Sequence, residues 1–344
     1  MPRPRLAALA ASTLAAAIVL TGCASGSDAG DSASSTTGAS TGDSVTIEHA
    51  FGETVVPADV QNVVTLGWGS TDAAISLGTI PVAIPFDSYA GDENGVLPWV
   101  KEAVDAAGAE MPTVLPESAD EPPYEAIAAA DPDVILAVYS GITEEQYETL
   151  SQIAPTVAYP DQAWSTPWRD VVTIVGEALG KSEEAEEVLA GIDDQLAEKA
   201  AEHPEFQGKT IAAVVDSAGT FYVYKKEDPR VEFMLDLGFE SAPSVDALAN
   251  GDSTFFYTLS YEQLDQLESD VVLAYSDTQE AADTFLTAPQ TSVIPAVASG
   301  NVAELVGAQY IAAVSPPTAL SLPWGLDQLV DALAAATADG TTTQ

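Results

Sequence analysis

The stretch Tyr-Glu-Ala-Ile-Ala-Ala-Ala-Asp-Pro-Asp-Val-Ile-Leu-Ala, Tyr124 to Ala137, returns as Tyr-Glu-Gln-Leu-Asp-Gln-Leu-Glu-Ser-Asp-Val-Val-Leu-Ala, Tyr261 to Ala274. Without a gap, Tyr124, Glu125, Asp133, Val134, Leu136 and Ala137 fall on Tyr261, Glu262, Asp270, Val271, Leu273 and Ala274. Each copy reads as a short helix, a tight turn at the Asp and a β-branched run suited to a buried strand. Two copies at so long a spacing predict two similar lobes rather than a solenoid. Common packing rules alone could make two such units alike, but packing does not dictate the shared Tyr-Glu.

The surrounding chain fits two lobes. Its 344 residues suffice for a core in each, and 47% apolar against 18% charged residues describe a globular chain. Ten Lys and Arg stand against 53 Asp and Glu, a formal net charge of -43. Such a surface repels phosphate backbones, so nucleic-acid binding is excluded as a function class. The acidity otherwise serves solubility.

Cys23 is the one cysteine, so no intrachain disulfide or cysteine metal cluster can form. Arg3 and Arg5 precede the Ala- and Leu-rich run Leu6 to Leu20, which has the layout of a signal peptide over residues 1–22. Leu20-Thr21-Gly22-Cys23 resembles the bacterial lipobox, which implies lipidation of Cys23 and a membrane-anchored protein on the outer face of the cell membrane. Residues 23–43, almost entirely Ser, Thr, Gly, Ala and Asp after the cysteine, predict a flexible tether.

Order is expected from Ser44. Val45 to Val56 reads as a hairpin, and Asn62 to Leu66 as a buried strand ending at Gly67-Trp68-Gly69-Ser70. Alternating strands and helices to residue 166 predict a first lobe, 44–166, built on a parallel sheet. Periodicity over 167–203 predicts a long linking helix, capped by Thr166 and broken or bent at Gly180. A second α/β series from Lys209 predicts the other lobe, 204–344. The expected fold is α/β, two Rossmann-like lobes joined by one long helix with a ligand cleft between them.

Open α/β sheets bind ligands beyond the carboxyl ends of their strands. That rule places Trp68, Phe86 to Tyr89, Tyr139, Ser140 and Trp164 on the first lobe's side of the cleft. Asp216, Ser217, Tyr222, Tyr224, Tyr275, Ser276 and Tyr310 lie on the second. Lys225-Lys226 with Arg230 is the one basic cluster. From these, the candidate ligand-binding residues are Trp68, Tyr89, Tyr139, Trp164, Tyr222, Tyr224, Lys225, Arg230, Tyr275 and Tyr310. Aromatic faces with a few polar tips suit a bulky, partly apolar ligand. No catalytic residues stand out: the predicted body has no cysteine, and His49 and His203 are not placed to converge. Two histidines also argue against a bare metal site, and no resident cofactor is expected.

Val63 to Gly69, Tyr124-Glu125 with Asp131 to Ile135, Trp168 to Gly180, Ser260 to Leu264, Ala288-Pro289-Gln290, Ile294 to Val297 and Gly300 to Val302 occur in a telling order. With that order the chain, from about Ser44 to Leu333, resembles the helical-backbone substrate-binding lipoproteins of ABC importers, in their iron-siderophore, ferrichrome/ferric-dicitrate-like branch. The resemblance implies a non-enzymatic, extracytoplasmic protein that captures a ferric siderophore and delivers it to a permease dimer, with iron entering only as the chelate. It also implies that Glu125 and Glu262, one per lobe, dock onto permease arginines; ordinary helix-start glutamates remain the alternative. An acidic, aromatic cleft favours a hydroxamate chelate over an anionic catecholate or citrate. Cobalamin or haem binding on the same scaffold stays the alternative, and the protein is expected to be a monomer. Within the repeat, Tyr139 and Ser140 should face the cleft, and Glu125 should face the permease from the opposite end.

Overall fold

The computed structural model describes residues 44–118, 121–251, 253 and 255–338. The expected signal peptide, Cys23 and tether lie outside the described residues. A hairpin of β1 (Val45–His49) and β2 (Gly52–Val56) precedes a first α/β series. This comprises β3 (Val63–Thr65), α1 (Ser70–Ser76), β4 (Ala83–Ile84), α2 (Pro98–Ala106), β5 (Thr113–Val114), α3 (Tyr124–Ala129), β6 (Val134–Leu136), α4 (Glu144–Leu150) and β7 (Thr156–Val157). Two helices follow, α5 (Trp168–Ala178) and α6 (Ser182–Glu202). The second series runs β8 (Thr210–Ser217), β9 (Thr220–Tyr224), α7 (Pro229–Asp236), β10 (Glu240–Ser241), α8 (Pro243–Leu248) and β11 (Phe256–Leu259). It closes with β12 (Val271–Ser276), α9 (Gln279–Thr287), α10 (Pro295–Ser299), β13 (Val302–Val306), α11 (Ala308–Val314) and α12 (Ser321–Thr337).

The first sheet has the order β5-β4-β3-β6-β7, all parallel. The second has the order β11-β9-β8-β12-β13, with β10 also paired to β8; β9 and β11 are antiparallel to their neighbours. The two copies of the repeat supply β6 and β12, each beside the sheet's central strand. Asp133 and Asp270 then do the same job. Asp133 Oδ2 accepts the Gln61 and Asn62 N–H groups at 2.8 Å each, and Asp270 Oδ2 accepts the Thr210 N–H at 2.7 Å. Each carboxylate therefore pins the start of the neighbouring strand and fixes the register.

Alternate side chains of both strands go to opposite faces, as the pleat requires. Val134 and Leu136 join Val271 and Leu273 in one apolar cluster that runs under both sheets. Ile135 and Ala137 pack into a second cluster confined to the first lobe. Val272 and Ala274 pack into a third, confined to the second lobe. Burying branched residues on both faces explains why these strands read as continuous apolar runs.

Two local expectations change, and the break expected at Gly180 takes definite form. The second copy opens with a 3-10 turn, Tyr261–Gln266, where the first opens with the α-helix α3. The segment 167–203 is two helices separated at Gly180, and the long one is α6; α5 packs on α1 and β1 as well as on α6. Thr166 does not cap α5. Its hydroxyl is buried and spent on the Val138 carbonyl, to which it donates at 2.7 Å, and α5 has no side-chain cap. A true capping box stands at α4, where Thr143 and Gln146 satisfy each other's backbone N–H groups.

Candidate functional site

The loops after β3, β4, β5 and β6 rise from the same end of the first sheet and enclose an open pocket of about 490 Å³. Trp68, Phe86, Glu117, Glu121, Gly141 and Trp164 are among its walls. Gly67 turns the chain out of β3 with φ +72°, which lets the Trp68 N–H donate to the Tyr139 carbonyl at 2.9 Å. Trp164 also has a left-handed backbone, φ 58°, unusual for a bulky residue. Its N–H donates to the Ser140 carbonyl at 3.0 Å, its indole lies against the bare backbone of Gly141, and its ring meets Tyr139 edge-on at 5.7 Å. The side chain is still 54% exposed. Trp164 is thus a large aromatic in an unfavourable backbone geometry, left in solvent at the pocket wall.

The second lobe contributes a tight polar group. In β9, Phe221 and Val223 are buried in that lobe's own cluster, so Tyr222 and Tyr224 face the other way. Arg230, in the first turn of α7, lies 4.3 Å above the Tyr224 ring and donates through Nε to Ser315 Oγ and through Nη1 to Asp228 Oδ2 at 2.8 Å. Asp228 is the N-cap of α7 and accepts the Arg230 N–H at 2.8 Å through its other oxygen. Burial raises the Asp228 carboxyl to about 6, against the lowering effect of Arg230. Tyr275 meets Tyr224 edge-on at 6.1 Å, and its buried hydroxyl has no partner among the described residues. Burial holds the Tyr139, Tyr224 and Tyr275 phenols above their usual range, and each feels the charges of Arg230 and Asp228. The Tyr139 phenol of the first lobe therefore lies within range of the Arg230 and Asp228 charges of the second. At the margin, the Tyr89 hydroxyl crosses between lobes and donates to Asp277 Oδ1 at 2.6 Å.

Trp68, Tyr139 and Trp164 are thus gathered on one side, Tyr224, Arg230 and Tyr275 on the other, and Tyr89 between them. Lys225 is placed differently: its ammonium donates to the Ser253 carbonyl at 2.9 Å. Tyr222 meets Phe256 edge-on, 5.8 Å away on the neighbouring strand. Tyr310 stacks on Trp324 at 5.3 Å, in a series that continues through Trp99 to Trp68 and joins the lobes. Among residues the sequence reading did not single out, Asp228 carries a signal in the Asp-Pro helix start. Ser315 carries none, since only the fold brings it to Arg230. Pro122 and Pro123 line the pocket immediately before α3. Glu125 therefore stands at the pocket end of the lobe, not at the opposite end from Tyr139. A crossover helix runs back against its strands, so its first turn lies beside their carboxyl ends. Glu125 and Glu262 are both exposed.

Asp72, at the lobe junction, is buried, and its Oδ1 accepts from Trp99 Nε1 at 2.7 Å and from the Thr318 hydroxyl. Burial raises this carboxyl from 3.8 to about 6. The folded protein keeps the proton up to about pH 6, whereas the unfolded chain loses it near pH 4. Stability from Asp72 is therefore full below pH 4 and falls as pH rises to 6, by on the order of 3 kcal/mol. Asp72→Asn keeps an oxygen for both donors without the buried charge. We expect it to raise Tm at pH 7.5 by a few degrees and to flatten the rise of Tm on acidification; a lower Tm at pH 7.5 would show that the ionised carboxylate is favourable there.

Among the described residues, no group of three or more His, Cys, Asp and Glu side chains is placed to hold a metal ion. His49 Nε2 meets Thr54 Oγ1 at 2.9 Å and His203 Nδ1 meets Glu205 at 2.8 Å, both local contacts.

The profile described as periplasmic binding protein matches residues 63–307. The probable siderophore-binding lipoprotein YfiY of Bacillus subtilis (strain 168) is 27% identical over 304 residues, 85% of this chain and 88% of that protein. Crystal structures of PiaA, an iron uptake ABC transporter substrate-binding protein of Streptococcus pneumoniae TIGR4, are 31% identical and cover 85% of this chain. They superpose with a TM-score of 0.72 over 99% of the PiaA chain, and of 0.73 over 98% for PiaA in complex with ferrichrome.

Proposed function

The chain belongs to the periplasmic binding protein family, and from that premise we propose that it captures a ferric siderophore of the hydroxamate type for an ABC importer. The observation that carries the ligand class is the Arg230–Asp228 pair. Trp68 and Trp164 wall the pocket with Tyr139 against Trp164, and on the second lobe the arginine that rests on Tyr224 is already paired with a buried carboxylate. The Lys225 ammonium is held at the Ser253 carbonyl, outside the Arg230–Asp228 pair. An anionic catecholate or citrate chelate would lose its water without gaining a compensating partner. A neutral or cationic trihydroxamate exchanges water for aromatic faces and a few hydrogen-bond donors. Similarity to YfiY and to ferrichrome-bound PiaA supports this reading.

Iron is cargo here, arriving inside its chelator. The ligand set we assign is Trp68, Tyr89, Tyr139, Trp164, Tyr224, Arg230 and Tyr275, with Tyr222, Lys225 and Tyr310 at the periphery. Glu125 and Glu262 dock the loaded protein onto a permease dimer, and Cys23 anchors it by lipid to the outer face of the cell membrane. We place the lobes at 44–166 and 204–344 about the linking segment 167–203, and the working unit is a monomer.

Mixing the mature protein separately with ferrichrome, cobalamin and haem, then desalting, tests this. The ferrichrome absorption should elute with protein; elution with cobalamin or haem instead would overturn the siderophore reading. Trp164→Ala should weaken ferrichrome binding about 10- to 100-fold, as expected for a central aromatic anchor. Because the ring is exposed, the variant's Tm should stay close to that of the wild type. Undiminished affinity by calorimetry would remove Trp164 from the site.

A further inference from the structure

We propose that Asp228 is a specificity-determining residue: by neutralising Arg230 it keeps the second lobe from presenting an unpaired cation to the ligand, so neutral and cationic ferric chelates are admitted and anionic ones refused. This rests on the reading of the cleft as a ferric-chelate site.

The pair is built into the fold. Asp228 is 2% exposed and Arg230 17%. One Asp228 oxygen caps α7 on the Arg230 N–H, while the other meets Nη1. Arg230 does not depend on Asp228 for its position, since Ser315 Oγ accepts from Nε and the guanidinium rests on Tyr224. Removing the carboxylate charge would therefore leave a cation in the same place. The other groups facing the pair are the Tyr139, Tyr224 and Tyr275 phenols, kept protonated by burial, and Glu232 on α7, whose carboxyl burial also raises. Asp228 is thus the acid in direct contact with the guanidinium, and its charge decides what the cleft presents to a chelate.

The test uses Asp228→Asn, which keeps an N-cap of equal quality. The mature wild-type and variant chains are titrated with cationic ferrioxamine B, neutral ferrichrome and anionic ferric enterobactin. Relative to wild type, the variant should shift the affinity ratio toward ferric enterobactin over ferrioxamine B by about 10-fold or more, and the shift should shrink at high salt. Asp228→Asn with Arg230→Gln should return the ratio to the wild-type value. An unchanged ratio, or equal loss for all three chelates, overturns the proposal. If the variant does not fold, the wild-type ratio measured from pH 7.5 to 5.5 should move in the same direction as Asp228 takes up its proton, and a constant ratio overturns the proposal. Wild-type protein that binds no hydroxamate chelate overturns the ligand reading instead. Ferrichrome binding by the wild type with an unmoved ratio in the variant overturns the Asp228 role alone.

Discussion

Cells carrying Glu125→Gln and Glu262→Gln together are expected to lose uptake of the ferric chelate, while the purified double variant binds it with unchanged affinity. Both carboxylates are exposed, and each begins one copy of the repeated unit. Glu125 lies just beyond the prolines that wall the pocket, which puts the proposed docking residue beside the proposed ligand site. One carboxylate per lobe suits a two-fold permease that offers an arginine to each. A charge-assisted hydrogen bond contributes about 1.5–3 kcal/mol, so one loss should weaken docking about 10- to 100-fold and two should compound. Radiolabelled-iron uptake in cells lacking their own binding protein is the readout. Normal uptake by the double variant would reduce both residues to ordinary helix-start glutamates.

The second large effect is expected at Gly67. A Cβ there would stand 2.2 Å from the Tyr139 carbonyl oxygen and 2.9 Å from Ser140 Cβ, on a backbone with φ +72°. Neither backbone can move cheaply, because Trp68 N–H donates to that same carbonyl and Leu66 N–H donates to Leu136 in the adjacent strand. Gly67→Ala should cost about 2–4 kcal/mol of stability. It should also weaken ligand binding, since Trp68 and Tyr139 are displaced together. Denaturant unfolding and titration of the same preparation separate the two effects. A variant with wild-type stability would mean the β3 turn is far softer than its contacts indicate.

The repeat made most of the fold legible. Apolar runs ending in small residues marked β3, β6, β8 and β12, and the shared Asp marked where each repeat strand begins. What a linear reading could not supply was direction and partnership across the fold. Glu125 and Tyr139 lie at opposite ends of one stretch of sequence yet at the same end of a lobe, because α3 doubles back. Residues 261–266 carry helical spacing but form a 3-10 turn, in which Tyr261 donates to Asp216 at 2.6 Å. Tyr124 instead packs beside Ile127 in the first lobe's core. Thr166 reads as a cap until Val138 is seen beside it. In the site, the aromatic residues were visible because few residue types place so much surface at strand ends. The polar group around Arg230 was only half visible: Asp228 and Arg230 are two residues apart, but Ser315 reaches the guanidinium only through the fold. Trp164 was legible as an aromatic near the junction, but its left-handed backbone and its seat on Gly141 belong to the loop alone.

Tryptophan-fluorescence titration of the mature protein tests the central claim most directly, because Trp164 and Trp68 both line the pocket. Ferrichrome or ferrioxamine B should quench the emission saturably with Kd below about 1 μM, and ferric enterobactin should do so only at far higher concentration. Tight, preferential quenching by ferric enterobactin, or no saturable quenching by either hydroxamate chelate, would contradict an aromatic cleft built to hold a ferric trihydroxamate.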